Sequence, residues 1–184
     1  DYFGTPYPLP KLDQIAVPGS SQFFGAMENW GAIMYFEPCL LVDPARTSAS
    51  DRRVVFLIVA HEVAHQWWYG VVGNDVIDEP WLDEALTTYS AAIYTQAAEG
   101  QASYDGIMAF RWARFDQMVQ EGWDGPVAGS LATFAARDDP GTYSPVVYSK
   151  GAVFFDALRE EIGDLAFFSA LQAYYTLYRY RTAT

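Results

Sequence analysis

The stretch "IVAHEVAHQWWYG", residues 58–70, decides how this chain is read. It holds His61 and His65, and the chain has just 2 histidines. The residues before it, "RRVVFLIVA", are apolar enough for a largely buried helix, with Ser48, Ser50 and Asp51 as candidate caps. On a helix running through "HEVAHQWW", side chains four apart leave the same face about one turn apart, so two imidazoles can grip one ion. Glu62 lies about 100° round from His61, beside such an ion rather than on it. A carboxylate there can take a proton from an attacking water. The competing reading is a buried helix with two satisfied histidines. It must also bury Glu62, which is costly without a partner.

The H-E-x-x-H arrangement is that of zinc proteases. A catalytic zinc takes three protein ligands and keeps a fourth position open. With no third histidine and the single Cys39 in a strand-like region, the third ligand has to be a carboxylate. "PWLDEALTTY", residues 80–89, offers Asp83 and Glu84. Glu84 follows His65 at a spacing found in one branch of these enzymes, giving a His, His, Glu set like that of thermolysin.

Composition bounds the rest. The 184 residues are 51% hydrophobic and 17% aromatic, enough for one sizeable core and a single domain over 1–184. A net charge of −12 argues against nucleic acid and anionic membranes as partners. One cysteine permits no internal disulfide. The apolar run "VVFLIVA", residues 54–60, is far short of the ~20 residues of a membrane span. The chain begins "DYFGTPYPLP", with neither a methionine nor a signal segment, and reads as processed or excised.

Residues 1–45 read as a small sheet region. Turn signals occupy 1–22, "DQIAV" (13–17) is a short strand, and a second strand covers 29–38, stopping at Pro38. Residues 46–184 read as helical. After the active helix and a looser stretch, a second helix starts at Pro80 and ends near Gly100. A third, about 101–121, places Tyr104, Met108, Phe115 and Val119 on one stripe. A long loop follows over 122–146. A fourth helix runs from about Tyr148 to Ile162, with Phe154, Leu158 and Ile162 spaced by four, and a fifth covers about 164–180, with Phe167, Leu171, Tyr174 and Tyr178 recurring along it.

Four segments, "GAMENWG" (25–31), "HEVAHQWW" (61–68), "WLDEALTTY" (81–89) and "YSKGA" (148–152), resemble the aminopeptidase N (membrane alanyl aminopeptidase) family of zinc metallopeptidases, of gluzincin type. The resemblance implies a thermolysin-like α+β catalytic domain, predominantly helical behind a short sheet region. It also implies one zinc ion per chain on His61, His65 and Glu84, with Glu62 as general base. Gly25, Ala26, Met27 and Glu28 would belong to an edge strand lining the substrate cleft, where Glu28 binds the free amino group of a peptide. Gly25 would let the substrate backbone come close. Tyr148 would hydrogen-bond the oxyanion, with Tyr143 as the nearby competitor.

The chain departs from that family in three places. Asp83 and Ala85 stand where many members have Asn and Gly; Asp83 adds charge near the metal, and Ala85 should be harmless. "QWWYGVVGND" replaces the common connection after the second histidine. The flanking domains of the family are not in this sequence. A thermolysin-like endopeptidase on the same site, or a zinc-binding module with little activity alone, are the competing functions.

Overall fold

A computed structural model describes residues 3–19, 25–136 and 141–184. Parts of the expected turns at 1–22 and of the expected loop at 122–146 therefore lie outside the described residues. The chain is a mixed α and β structure in which helix dominates.

The front is a three-stranded sheet of β1 (Asp13–Val17), β2 (Ala26–Met27) and β3 (Ala32–Phe36), in the order β1-β3-β2. β3 runs parallel to β1 and antiparallel to β2, with Ala26 opposite Tyr35 and Met27 opposite Met34. Strand alternation sends Ile33 and Tyr35 inward, both fully buried, and Met34 outward. The strand expected over 29–38 is shorter than its pattern. Residues 29–31 form the turn into β3, closed by Ala32 N–H donating to the Asn29 carbonyl with Gly31 at φ +78°, and Glu37–Cys39 form a 3-10 turn around Pro38.

Helix α1 (Ala49–Ala64) starts where the cap chemistry places it, with Ser48 Oγ accepting from the Asp51 N–H. It ends earlier than expected, just before His65. The chain then doubles back through hydrogen bonds from Gly70 N to His65 O and from Val72 N to Trp67 O, with Tyr69 at φ +107°. A Cβ at Gly70 would meet Trp30 Cδ1 at 2.7 Å and Gln66 O at 2.9 Å, so the reversal needs glycine. Nor is α1 buried on most of its surface. Val54 is exposed, and Phe56, Val59, Ala60 and Val63 line an apolar groove of about 510 Å³.

Beyond the turn, β4 (Val72–Asn74) pairs in parallel with β5 (Arg181–Ala183) at the far end of the chain. Helix α2 (Trp81–Glu99) is the central post, buried along most of its length and packed on α1, on α3 (Gln101–Gln120) and on α5 (Gly151–Ile162). Inside the expected loop sits a short helix α4 (Leu131–Ala135), capped by Ser130. A π-helical turn, Pro145–Lys150, then leads directly into α5. Helix α6 (Asp164–Tyr178) follows the break at Gly163. Among the described residues no helix is long and apolar enough to cross a membrane.

The stripe expected on α3 shifts. On α3 the inward residues are Tyr104, Met108 and Met118, while Val119 is exposed. On α5 the face against α2 is the small one, Gly151, Ala152, Val153 and Asp156, and Phe154 and Ile162 are exposed. Close approach to α2 selects that face: a Cβ on Gly151 would lie 2.3 Å from Ala85 Cβ. Ala85 is therefore tolerated because its neighbour is glycine. On α6 the buried residues are Phe167, Leu171 and Tyr175.

Candidate active site

Helices α1 and α2 bring His61, His65 and Glu84 together. His61 Nε2 lies 3.1 Å from Glu84 Oε2 and 3.1 Å from His65 Nε2, and His65 Nε2 lies 3.4 Å from the same Glu84 oxygen. Donors arranged tetrahedrally about an ion at zinc bond lengths stand roughly 3.3 Å apart. The three side chains thus have the type and spacing of a metal cage.

The early end of α1 serves this geometry. It turns the Trp68 carbonyl back to His65 Nδ1, at 3.1 Å. A carbonyl only accepts, so Nδ1 carries the proton and Nε2 is left free to face the cage. Thr87 Oγ lies 3.2 Å from the same Nδ1, and Thr88 Oγ is 3.5 Å from His61 Nδ1. Burial works against ionising Glu84, but its bonds to the two imidazoles outweigh that and hold it well below the usual carboxylate range. Burial also opposes protonating His65, yet Glu84 raises it to about 9.

Glu62 is buried beside the cage, and its Oε2 has no hydrogen-bond partner among the described residues. Burial pushes it up to about 8. Glu28 approaches from the sheet: its carboxylate, that of Glu62 and a ring nitrogen of His65 all lie within 4.8 Å of one another. β2 is the sheet edge, and Gly25, Ala26, Met27 and Glu28 line a cleft of about 810 Å³ in front of the cage. Gly25 has a further reason to be glycine, since a Cβ there would meet Cys39 Sγ at 3.0 Å. Tyr148 leaves the π-helical turn and stacks on His61 at 5.8 Å between ring centroids. Burial and the Glu84 charge raise its phenol, so it stays protonated and able to donate. Tyr143 lines the same cleft, edge-on to Tyr148.

Asp83 is not part of the cage. Its Oδ1 accepts from Asn74 Nδ2 at 3.1 Å and from Glu84 N at 2.9 Å, which ties β4 to the start of α2. Burial and the neighbouring Glu84 push it up to about 7.

Two residues of this region carry no motif reading from the sequence. Gln66 is fully buried, accepts from Gly31 N at 2.8 Å and donates to the Glu28 carbonyl at 3.1 Å. It fastens the β2–β3 turn, and with it Glu28, to the residue after His65. Its signal was a lone amide in the apolar run "AHQWW". Arg111 on α3 lines the cleft. Its signal was a charge at a position on the apolar stripe, between Met108 and Phe115.

The whole chain, residues 1–184, matches the peptidase family M1 domain. It is 34% identical to aminopeptidase N of Lactococcus lactis subsp. cremoris over 98% of its length. It is 33% identical to endoplasmic reticulum aminopeptidase 2 of Homo sapiens over 99%, and 34% identical to glutamyl aminopeptidase of Bos taurus over 100%. It spans about a fifth of the length of these curated relatives, 21%, 18% and 19% respectively. The chain belongs to peptidase family M1, a family of metallopeptidases.

Proposed function

We propose that this chain is the catalytic domain, thermolysin-like in fold, of a zinc aminopeptidase that removes the N-terminal residue of peptides. The observation that carries the proposal is the cage of His61, His65 and Glu84 with the Glu28 carboxylate beside it on an open sheet edge. Two imidazoles and one carboxylate with mutual spacings of 3.1–3.4 Å suit one zinc ion and leave a position for substrate. When bound, zinc would polarise the scissile carbonyl and favour ionisation of the attacking water.

The remaining work belongs to the chain's own groups. Glu28 binds the substrate ammonium, which fixes the first residue against the cleft and excludes peptides with no free amine. Substrate backbone adds to the edge of β2. Glu62 takes the proton of the attacking water and passes it to the leaving amine. Burial, which pushes its carboxyl up to about 8, strengthens it as the acceptor of that proton. The Tyr148 hydroxyl donates to the oxyanion, an interaction worth roughly 3 kcal/mol in comparable sites.

The test compares an aminoacyl p-nitroanilide with its N-acetylated form. Cleavage of the free amine alone, lost on Glu62→Gln, is the expected result. Faster cleavage of the acetylated substrate points to the endopeptidase instead.

A further inference from the structure

The cleft contains a cation that no described residue neutralises. Arg111 of α3 lines the cleft, partly buried, and its Nε has no hydrogen-bond partner among the described residues. It forms no ion pair among them either. Arg53, the other arginine lining the cleft, is already paired with Glu99. The Arg111 guanidinium carbon lies 5.6 Å from the Phe110 ring centroid, a contact that orients the side chain without neutralising it. Burial disfavours its charge, and the nearby groups that act on it are the Tyr148 phenol and a second cation, Arg114. In a chain of net charge −12, a partly buried cation with no ion-pair partner among the described residues points to a ligand.

Its place in the cleft suggests what it meets. Glu28 clusters with Glu62 and His65. Arg111 comes instead from α3, which packs on the π-helical turn carrying Tyr148, whereas β2 packs on α1. If Glu28 holds the substrate amine, the chain beyond the scissile bond leaves on the Arg111 flank. An arginine fork matches a carboxylate in shape and charge.

We propose that Arg111 binds a carboxylate on the leaving side of the substrate, so that the cleft selects peptides carrying negative charge just beyond the scissile bond. This rests on the aminopeptidase reading for its direction. The carboxylate can be the C-terminus of a short peptide or an acidic side chain.

Equilibrium binding to the intact protein carrying Glu62→Gln tests the idea without turnover. The probes are Ala-Phe against Ala-Phe amide, and Ala-Asp amide against Ala-Asn amide. At least one charged probe should bind roughly tenfold or more tightly than its neutral partner. Adding Arg111→Gln should bring that ratio near one, and Arg111→Lys should retain part of it. Discrimination in the first pair alone assigns the site to a C-terminal carboxylate; in the second alone, to a side chain. Equal binding within both pairs, or a ratio that survives Arg111→Gln, overturns the proposal. N-acetyl-Ala-Phe separates the two readings. If it binds as well as Ala-Phe, the aminopeptidase reading fails, while the carboxylate preference is still read from the amide pair.

Discussion

Replacing Gln66 by leucine should detach the amine anchor from the metal cage without emptying the cage. The Gln66 amide holds both ends of the turn that follows Glu28, at 2.8 Å to Gly31 N and 3.1 Å to Glu28 O. Leucine keeps most of the volume and removes both bonds. The Gly31 N–H and the Glu28 carbonyl are partly buried, so each loss costs about 1 kcal/mol, the low end for an unsatisfied buried group. About 2 kcal/mol in all lowers the docked-turn equilibrium by roughly thirtyfold. Apparent affinity falls in proportion to the fraction still docked, so thirtyfold is the ceiling on the rise in KM. The expected outcome is a KM for a free-amine anilide raised several-fold to thirtyfold, with kcat changed far less and metal content at the wild-type level. Gln66→Glu keeps the acceptor for Gly31 and loses the donor to Glu28. The decisive measurement is the KM and kcat split, taken with metal analysis. A melting temperature lowered by several degrees at unchanged KM would show that Gln66 only supports the fold, and loss of metal would show that it supports the cage rather than Glu28.

Other perturbations test neighbouring parts. Metal analysis of His61→Ala should show one bound zinc lost, and an unchanged content refutes the cage. Gly151→Ala forces a Cβ to within 2.3 Å of Ala85 Cβ and should destabilise by about 1–3 kcal/mol in denaturant titration. Adding Ala85→Gly should restore most of that loss, and no recovery would mean the strain lies elsewhere. In metal-stripped protein Asp83 is raised to about 7, above its unfolded value, because burial penalises its charge. Ionised Asp83 therefore costs stability as pH rises from about 4 through 7. Asp83→Asn, which keeps an acceptor for Asn74 and Glu84, should raise stability at pH 8 and leave it nearly unchanged below pH 4. An equal effect at both pH values would exclude Asp83 titration as the cause.

How far the sequence reveals this site depends on the range of the forces that built it. The two histidines were legible because helical spacing alone puts them on one face, and Ser48 because a cap acts within three residues. The end of α1 was not. Nothing in "AHQWWYG" marks a stop at Ala64; the stop comes from Gly70 N reaching back to His65 O, and from Trp30, of a distant turn, occupying the space above Gly70. That stop delivers the Trp68 carbonyl to His65 Nδ1, so a detail invisible to periodicity fixes the tautomer of a candidate ligand. The pairing of β4 with β5 joins Val72 to Arg181 and has no local signal at all.

Close packing and a single charge decide the inward faces of α5 and α3. α5 approaches α2 so closely that the inward face had to be Gly151, Ala152 and Val153, leaving Phe154 outside. On α3 the true stripe runs through Tyr104, Met108, Arg111, Phe115 and Met118, which keeps the spacing of an inward face and interrupts it with a single charge. A reading that discards the charge to save the stripe loses the residue that faces the cleft. Polar side chains breaking an apolar pattern, Glu62 and Gln66 on one side and Arg111 on the other, mark where this fold departs from packing alone. Burying each of them costs stability unless it is partnered; Glu62 and Arg111 line the cleft in front of the cage, and Gln66 holds the backbone of Glu28, which lines it too.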